Sequence, residues 1–104
     1  MSGYVAIMAT AGSAAEAQKI ATALVEGGKA ACVQMIPATS CYMWKGALHT
    51  GPEVLLIIKT RDSLYADVEA LILSLHSDKT PEIVCLPVTK GASAYLDWIA
   101  SVTG

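Results

Sequence analysis

Phenylalanine and asparagine are absent from this 104-residue sequence, and charged residues make up only 15% of it. Ordinary globular domains carry about 25% charged residues. The hydrophobic fraction reaches 54%, and most of it is Ala, Val, Ile and Leu. A domain with so few charges has more apolar surface than one chain of this size covers by itself. We therefore expect it to associate with other copies of itself.

Clusters of positive charge and long apolar runs are also missing. The seven Lys and Arg residues are scattered singly and the net charge is −2, which argues against nucleic-acid binding because that requires clustered cations. No apolar run approaches the length of about 18 residues that a membrane helix needs. The first residues lack the basic segment of a signal peptide. We expect no nucleic-acid partner, no membrane partner and a cytoplasmic location.

The cysteines form no recognisable metal motif. Cys32, Cys41 and Cys85 are odd in number and lie in apolar stretches, which favours reduced thiols over a disulfide framework. We expect Cys32 and Cys85 to be buried. Neither Cys-x-x-Cys nor His-x-His occurs, so one chain does not offer the four spaced ligands of a closed zinc site.

Apolar periodicity and turn residues predict one domain over residues 1–104. In chain order its elements are a strand over 3–10, a helix from Ser13 to Gly27, a strand over 30–37 that resumes over 40–44, a strand over 53–60, a helix from Asp62 or Ser63, a strand over 82–87 and a helix over 91–102. The order indicates an α+β fold. It predicts a ferredoxin-like βαββαβ sandwich with a long hairpin between the second and third strands and an extra C-terminal helix.

Local signals support the individual elements. Ser13 and Glu16 form a capping box for the first helix. Its predicted apolar stripe is Ala17, Ile20, Ala21 and Leu24, and that of the second helix is Leu64, Val68, Leu71 and Leu75. Pro37 requires either a bulge or an edge strand, and the hairpin turn is expected over residues 46–51. Two helices cover one face of such a sheet, and the other face has no cover within the chain. Because several strands are apolar on both faces, we expect this second face to contact another subunit.

Several ordered motifs identify the family that the chain resembles. They are ACVQMIP at 31–37, EVLLIIKTR at 53–61, TPE at 80–82, LPV at 86–88 and YLDWI at 95–99. In this order and spacing the sequence resembles the CutA divalent-cation-tolerance family over about residues 3–100. The resemblance implies a ferredoxin-like subunit in a tight homotrimer, with the long hairpins wrapping neighbouring subunits. It also implies a non-enzymatic protein that responds to metal ions and weakly binds copper or another divalent cation.

The resemblance makes His76 the candidate metal ligand. Some family members carry a cysteine near the end of the first strand and a second histidine beside the first. This chain has Ala9 and Leu75 at those positions, and Ser77-Asp78 where members commonly have Pro-Tyr. At the predicted end of the second helix, a capping residue that complements the helix dipole is the favoured interpretation of His76.

Charged and aromatic residues give the remaining candidate sites. Lys59 ends an apolar strand, where it is either solvated or a cation in a cleft that pairs with Glu82 or Glu53. Tyr95 and Trp98 are candidates for the same ligand-binding cleft.

The other two large aromatics, Tyr42 and Trp44, are candidates for the trimer interface because rigid amphipathic rings favour interfaces. His49 lies in the predicted turn, where we expect it to be solvated. No nucleophile is paired with a base, so no enzymatic activity is predicted. The alternative function is a PII-like signalling trimer with a small ligand in the cleft between subunits. The chain has no glycine-rich loop to bind phosphate for that role.

Overall fold

The computed structural model describes residues 3–104, which form four strands and three helices. In chain order these are β1 (Tyr4–Ala11), α1 (Ala14–Glu26), β2 (Cys32–Trp44), β3 (Ala47–Arg61), α2 (Tyr65–Leu75), β4 (Ile83–Val88) and α3 (Ser93–Val102). The strands form one sheet in the order β2-β3-β1-β4, and every neighbouring pair is antiparallel. This confirms the predicted α+β ferredoxin-like architecture with an added C-terminal helix.

The helix α1 begins with the predicted side-chain cap. Ser13 Oγ accepts the N–H of Glu16 at 3.1 Å, and Glu16 Oε1 accepts the N–H of Gly12 at 3.1 Å. The buried residues of the helix are the predicted ones, Ala17, Ile20, Ala21 and Leu24. They lie against the buried alternate residues of β1, which are Val5, Ile7, Ala9 and Ala11. This layer forms the core of the subunit.

The buried face of α2 matches the predicted one only in part. Val68 and Ile72 are fully buried, and Leu64 just before the helix is 8% exposed. Leu71 and Leu75 pack against the core only partly. The helix therefore centres its apolar face on the i, i+4 pair Val68 and Ile72, rotated from the predicted stripe. Such small rotations are not visible in a helix that is apolar nearly all round.

The turn of the long hairpin lies earlier than predicted. Lys45 and Gly46 form a two-residue loop with φ of 50° and 78°, and Trp44 pairs with Ala47. Two positive φ values are typical of a type I′ turn, whose twist matches that of the flanking strands. The prediction of a turn over residues 46–51 is therefore wrong, since most of that stretch is paired strand.

Each proline within a strand lies where the sheet has a neighbour on one side only. Pro37 in the edge strand β2 pairs with Val54 in an unbroken register, so the bulge alternative does not apply and β2 is continuous. Pro87 lies in the other edge strand, β4. Proline has no N–H group to donate to a neighbouring strand. At a position with a neighbour on one side only, the missing hydrogen bond destabilises the sheet little.

The hairpin extends well beyond the rest of the sheet. β1 ends at Ala11, opposite Val54, whereas β2 and β3 stay paired as far as Trp44 and Ala47. This two-stranded extension, residues 38–53, gives the subunit an elongated shape of 44 × 25 × 22 Å. An isolated two-stranded ribbon is marginally stable in water.

The sheet face opposite α1 and α2 is apolar. Register places Met8 beside Ile57 on one side and Val84 on the other, all pointing away from the buried residues of β1. Val84 and Leu86 are each 47% exposed. We call this surface, completed by Ile36 and Leu55 on the β2–β3 pair, the open face.

The C-terminal helix is tied to the end of β3. Arg61 donates from Nε to Thr103 Oγ1 at 3.0 Å and from Nη2 to the Thr103 carbonyl at 2.9 Å. The N–H of Gly104 then donates to the carbonyl of Gly28 after α1. In the described part of the chain, no helix combines the length and the apolar character needed to cross a membrane.

Candidate functional site

A groove of about 650 Å³ lies between the long hairpin and the segment that joins α2 to β4. The hairpin contributes Tyr42, Trp44 and Glu53, and the end of β1 contributes Thr10. Residues 77–82 form the opposite wall. The groove therefore combines residues from three separate parts of the chain.

The charge of the groove is mainly negative. Glu53, Asp78 and Glu82 line it, with Lys79 as the one cation among its lining residues. A concave surface with an excess of carboxylates raises the local concentration of cations. Two of these carboxylates, Glu53 and Glu82, are among the residues that the sequence predicted for a cleft.

The aromatic residues predicted for the interface lie in the same groove. Tyr42 stacks on His49 with ring centroids 5.5 Å apart, and Lys45 Nζ lies 5.9 Å from the centre of the Trp44 ring. Tyr42 and Trp44 each remain 49% exposed. His49 is exposed, as predicted, but one face of its ring is covered by Tyr42.

The other three predicted cleft residues do not line this groove. Lys59 donates from Nζ to Gln34 Oε1 on the neighbouring strand, and it does not pair with either predicted glutamate. Glu53 is six residues away on the same strand, a distance of about 20 Å along β3. Tyr95 and Trp98 lie on α3 with ring centroids 5.7 Å apart, and both are partly exposed.

Both ring nitrogens of His76 are engaged by the backbone. Its Nε2 lies 2.6 Å from the carbonyl oxygen of Thr10, and its Nδ1 accepts the N–H of Asp78 at 3.0 Å. This pattern fits the tautomer that carries its proton on Nε2, which donates to the carbonyl. His76 is also the C-cap of α2, where its own N–H donates to Ile72. The capping interpretation of this residue therefore matches its contacts.

Glu16 binds the same segment from α1. Its Oε2 accepts the N–H of Ser77 at 2.8 Å, while Oε1 accepts that of Gly12. Burial acts to raise the pKa of Glu16, but the hydrogen bonds from Ser77 and Gly12 and the nearby His76 together lower it below its ordinary value. The sequence identified Glu16 only as a capping residue. The contact with Ser77 joins residues 61 positions apart, which no local pattern shows.

The three cysteines are free thiols, and their burial differs from the prediction. Cys32 is half-buried, whereas Cys41 and Cys85 are exposed. The prediction that Cys85 is buried is wrong for the single chain, because both faces of the short edge strand β4 are open at its centre. Partial burial and the carboxylate of Asp62 still raise the pKa of the Cys85 thiol. Cys41 lines the groove, and its Sγ accepts a hydrogen bond from Thr50.

A single chain does not provide a closed metal site. Within residues 3–104, no group of three His, Cys, Asp or Glu side chains is placed to hold a metal ion. His76 has both ring nitrogens occupied, Ala9 is buried in the core, and Leu75 packs against the core. The donor set therefore does not fit a resident metal ion in one subunit.

The comparisons with known proteins identify the family. The model of the CutA1 divalent ion tolerance protein family matches residues 5–102. The chain belongs to this family. The resemblance carried by the sequence motifs is thereby confirmed, and cation tolerance is favoured over the PII-like alternative.

Relatives of the CutA1 family share both sequence and fold with this chain. A divalent-cation tolerance protein CutA of Archaeoglobus fulgidus is 39% identical over 89% of this chain and 91% of its own length. Protein CutA of Homo sapiens is 41% identical over 98% of this chain, which spans 60% of the human protein. The structure of a divalent cation tolerance protein of Thermus thermophilus superposes with a TM-score of 0.94 at 38% identity, covering 97% of this chain and 99% of that one.

The names of the A. fulgidus and T. thermophilus relatives refer to tolerance of divalent cations and describe no enzymatic reaction. The solved A. fulgidus protein is described as periplasmic, with a TM-score of 0.94 and 36% identity over 95% of this chain and 97% of its own. The cytoplasmic location of the present chain stays a prediction.

Proposed function

We propose that the chain acts without enzymatic activity in divalent-cation tolerance, as a homotrimer that binds divalent cations weakly. The observation that carries the proposal is the combination of the open face with the hairpin extension, residues 38–53, which no third strand supports. The negative groove beneath the hairpin supplies the cation-binding surface.

The proposed trimer is supported by apolar surface that a single chain leaves uncovered. At the end of the hairpin, Met43 is 63% exposed and Leu48 is 68% exposed, beside the half-exposed Tyr42 and Trp44. Together with the open face, these residues form more apolar surface than single scattered side chains would. Wrapping the hairpin around a neighbour buries this surface and supports the marginal ribbon at the same time.

Sedimentation equilibrium tests the assembly. We expect a species of three times 10.8 kDa, about 32 kDa, at micromolar concentration. A stable, folded monomer under the same conditions would contradict the proposed assembly.

Weak cation binding is supported by the carboxylates of the groove. Glu53 lies on β3, and Asp78 and Glu82 lie on the facing segment, so the two walls carry charge of the same sign. A divalent cation between them would offset their repulsion. Because no compact ligand cluster exists among residues 3–104, we expect exchangeable binding that is sensitive to salt.

Titration calorimetry with Zn²⁺ and Cu²⁺ tests the binding site. The variant Glu53→Gln/Glu82→Gln is expected to bind about threefold or more weakly, since partly exposed charge interactions are worth up to about 1 kcal/mol each. Glu26→Gln, at the end of α1 and outside this groove, is the matched control. Identical isotherms for all three proteins would remove the groove from the proposal. Stabilisation by ATP without any response to metal would instead favour the PII-like alternative.

A further inference from the structure

The groove has one wall with little regular structure of its own. Residues 77–82 lie between the end of α2 and the start of β4 and contribute two of its carboxylates, Asp78 and Glu82. A segment of this kind keeps one conformation only if its backbone groups find partners elsewhere. The structure shows two such partners, and both are ionisable side chains.

The first partner acts from α1. The carboxylate of Glu16 accepts the N–H of Ser77 on one oxygen and the N–H of Gly12 on the other, so one side chain joins the loop before α1 to the wall of the groove. The second partner acts from the end of α2. His76 receives the N–H of Asp78 on Nδ1 and meets the Thr10 carbonyl with Nε2.

These two sets of hydrogen bonds lie side by side along the chain. Ser77 and Asp78 are consecutive residues. The N–H group of the first binds Glu16, and that of the second binds His76. The anchors on the other side, Thr10 and Gly12, flank the end of β1. Thr10 itself lines the groove, so the connection reaches the site directly.

We propose that Glu16 and His76 are positioning residues that act as one clamp on the 77–82 wall of the groove, and that His76 has this role in place of metal ligation. Binding a metal would require a nitrogen of His76 to leave either Thr10 or Asp78. The clamp bears on the proposed function because it holds the backbone at Asp78, one of the carboxylates of the groove, and it needs no bound cation.

Amide hydrogen exchange without added metal tests the clamp. In Glu16→Ala we expect the N–H groups of Gly12 and Ser77 to exchange about tenfold faster, as for the loss of one charge-assisted hydrogen bond each. In His76→Ala we expect the same for Asp78. The clamp further requires Glu16→Ala to accelerate exchange at Asp78, and His76→Ala to accelerate exchange at Gly12 and Ser77. We expect about threefold in each case, the coupling of neighbours in one network.

Control variants separate the clamp from general destabilisation. Glu26→Ala changes a glutamate of the same helix, and His49→Ala changes the second histidine; both are expected to leave the three amides unchanged. Glu16→Gln keeps one acceptor oxygen for two N–H donors, so its exchange rates should lie between those of the wild type and Glu16→Ala. If each alanine variant frees only its own amide, the two residues do not form one clamp and the proposal fails.

Titration with Zn²⁺ alone tests the exclusion of His76 as a ligand. Under the proposal, Glu16→Ala and His76→Ala change zinc affinity in parallel, because both act through the position of the wall. Loss of zinc binding in His76→Ala, with wild-type affinity in Glu16→Ala, would overturn the proposal. Absence of zinc binding in every protein would contradict the proposed cation function, while the exchange data would still decide on the clamp.

Discussion

Replacing Trp44 by alanine gives the most direct test of the proposed trimer. Trp44 is 49% exposed beside the hairpin turn. Since a tryptophan buries up to about 250 Å², roughly 120 Å² of its surface is left for a neighbour to cover. At about 25 cal/mol per Å² this corresponds to about 3 kcal/mol for each subunit. That value is in the range of an interface hot spot.

The proposed trimer would contain three copies of the substitution. The loss then amounts to about 9 kcal/mol for the assembly, or between six and seven powers of ten in its formation constant. Because the midpoint concentration of a monomer–trimer equilibrium depends on the square root of that constant, it should rise by about three orders of magnitude. Sedimentation velocity over a dilution series measures this midpoint directly.

A matched control is available on the helical layer. Leu73 is 48% exposed, nearly the same fraction as Trp44, but it lies on α2 and does not belong to the hairpin. Leu73→Ala is expected to dissociate at the wild-type concentration. Equal dissociation profiles for Trp44→Ala and the wild type would refute the placement of Trp44 in the interface.

Three further predictions test the fold itself. Leu56→Ala, at a fully buried position in β3, should lower the free energy of unfolding by about 2–5 kcal/mol in chemical denaturation. If Leu56→Ala lowered the free energy of unfolding by less than Leu73→Ala does, the core position of Leu56 would be contradicted. Gly46→Ala should cost about 1 kcal/mol because φ is 78° there, whereas Gly51→Ala, which also points into open space but has no positive φ, should cost less. Since the pKa of folded Glu16 is lowered, its contribution to stability is fully present above about pH 4.3 and is lost as the pH falls through the lower folded value. The stability difference between wild type and Glu16→Gln should therefore shrink on acidification below about pH 4.3, and a constant difference would show that Glu16 makes no such contribution.

Local patterns in the sequence predicted those parts of the fold that depend on neighbouring residues. The Ser13 cap and the stripe of α1 are set within one or two helical turns, and both are confirmed. The hairpin turn was misplaced because Gly51 and Pro52 have the composition of a turn. In the structure they lie in paired strand, at a stretch where β3 has a partner on one side only.

The candidate site was only partly accessible from sequence. Glu53 and Glu82 were predicted as cleft partners of Lys59; the structure places both in one groove, but Lys59 lies outside it. The contacts of Glu16 with Ser77 and of His76 with Thr10 join residues more than 60 positions apart. Such pairings depend on how α1 and α2 pack against β1, which is a property of the folded chain. Likewise, exposure of Cys85 depends on the helices leaving the edge strand uncovered.

The positions of Pro37 and Pro87 have a consequence for how copies of this chain can meet. Both outer strands of the sheet contain a residue without an N–H group, and so neither border offers an unbroken row of donors to an incoming strand. Growth of the sheet by lateral strand addition, the first step towards fibrils, is thereby disfavoured. In the proposed trimer, copies would instead meet through the open face, and a closed assembly ends after a fixed number of copies. A chain with so few charges can in this way associate through one apolar face of its sheet without polymerising through its edge strands.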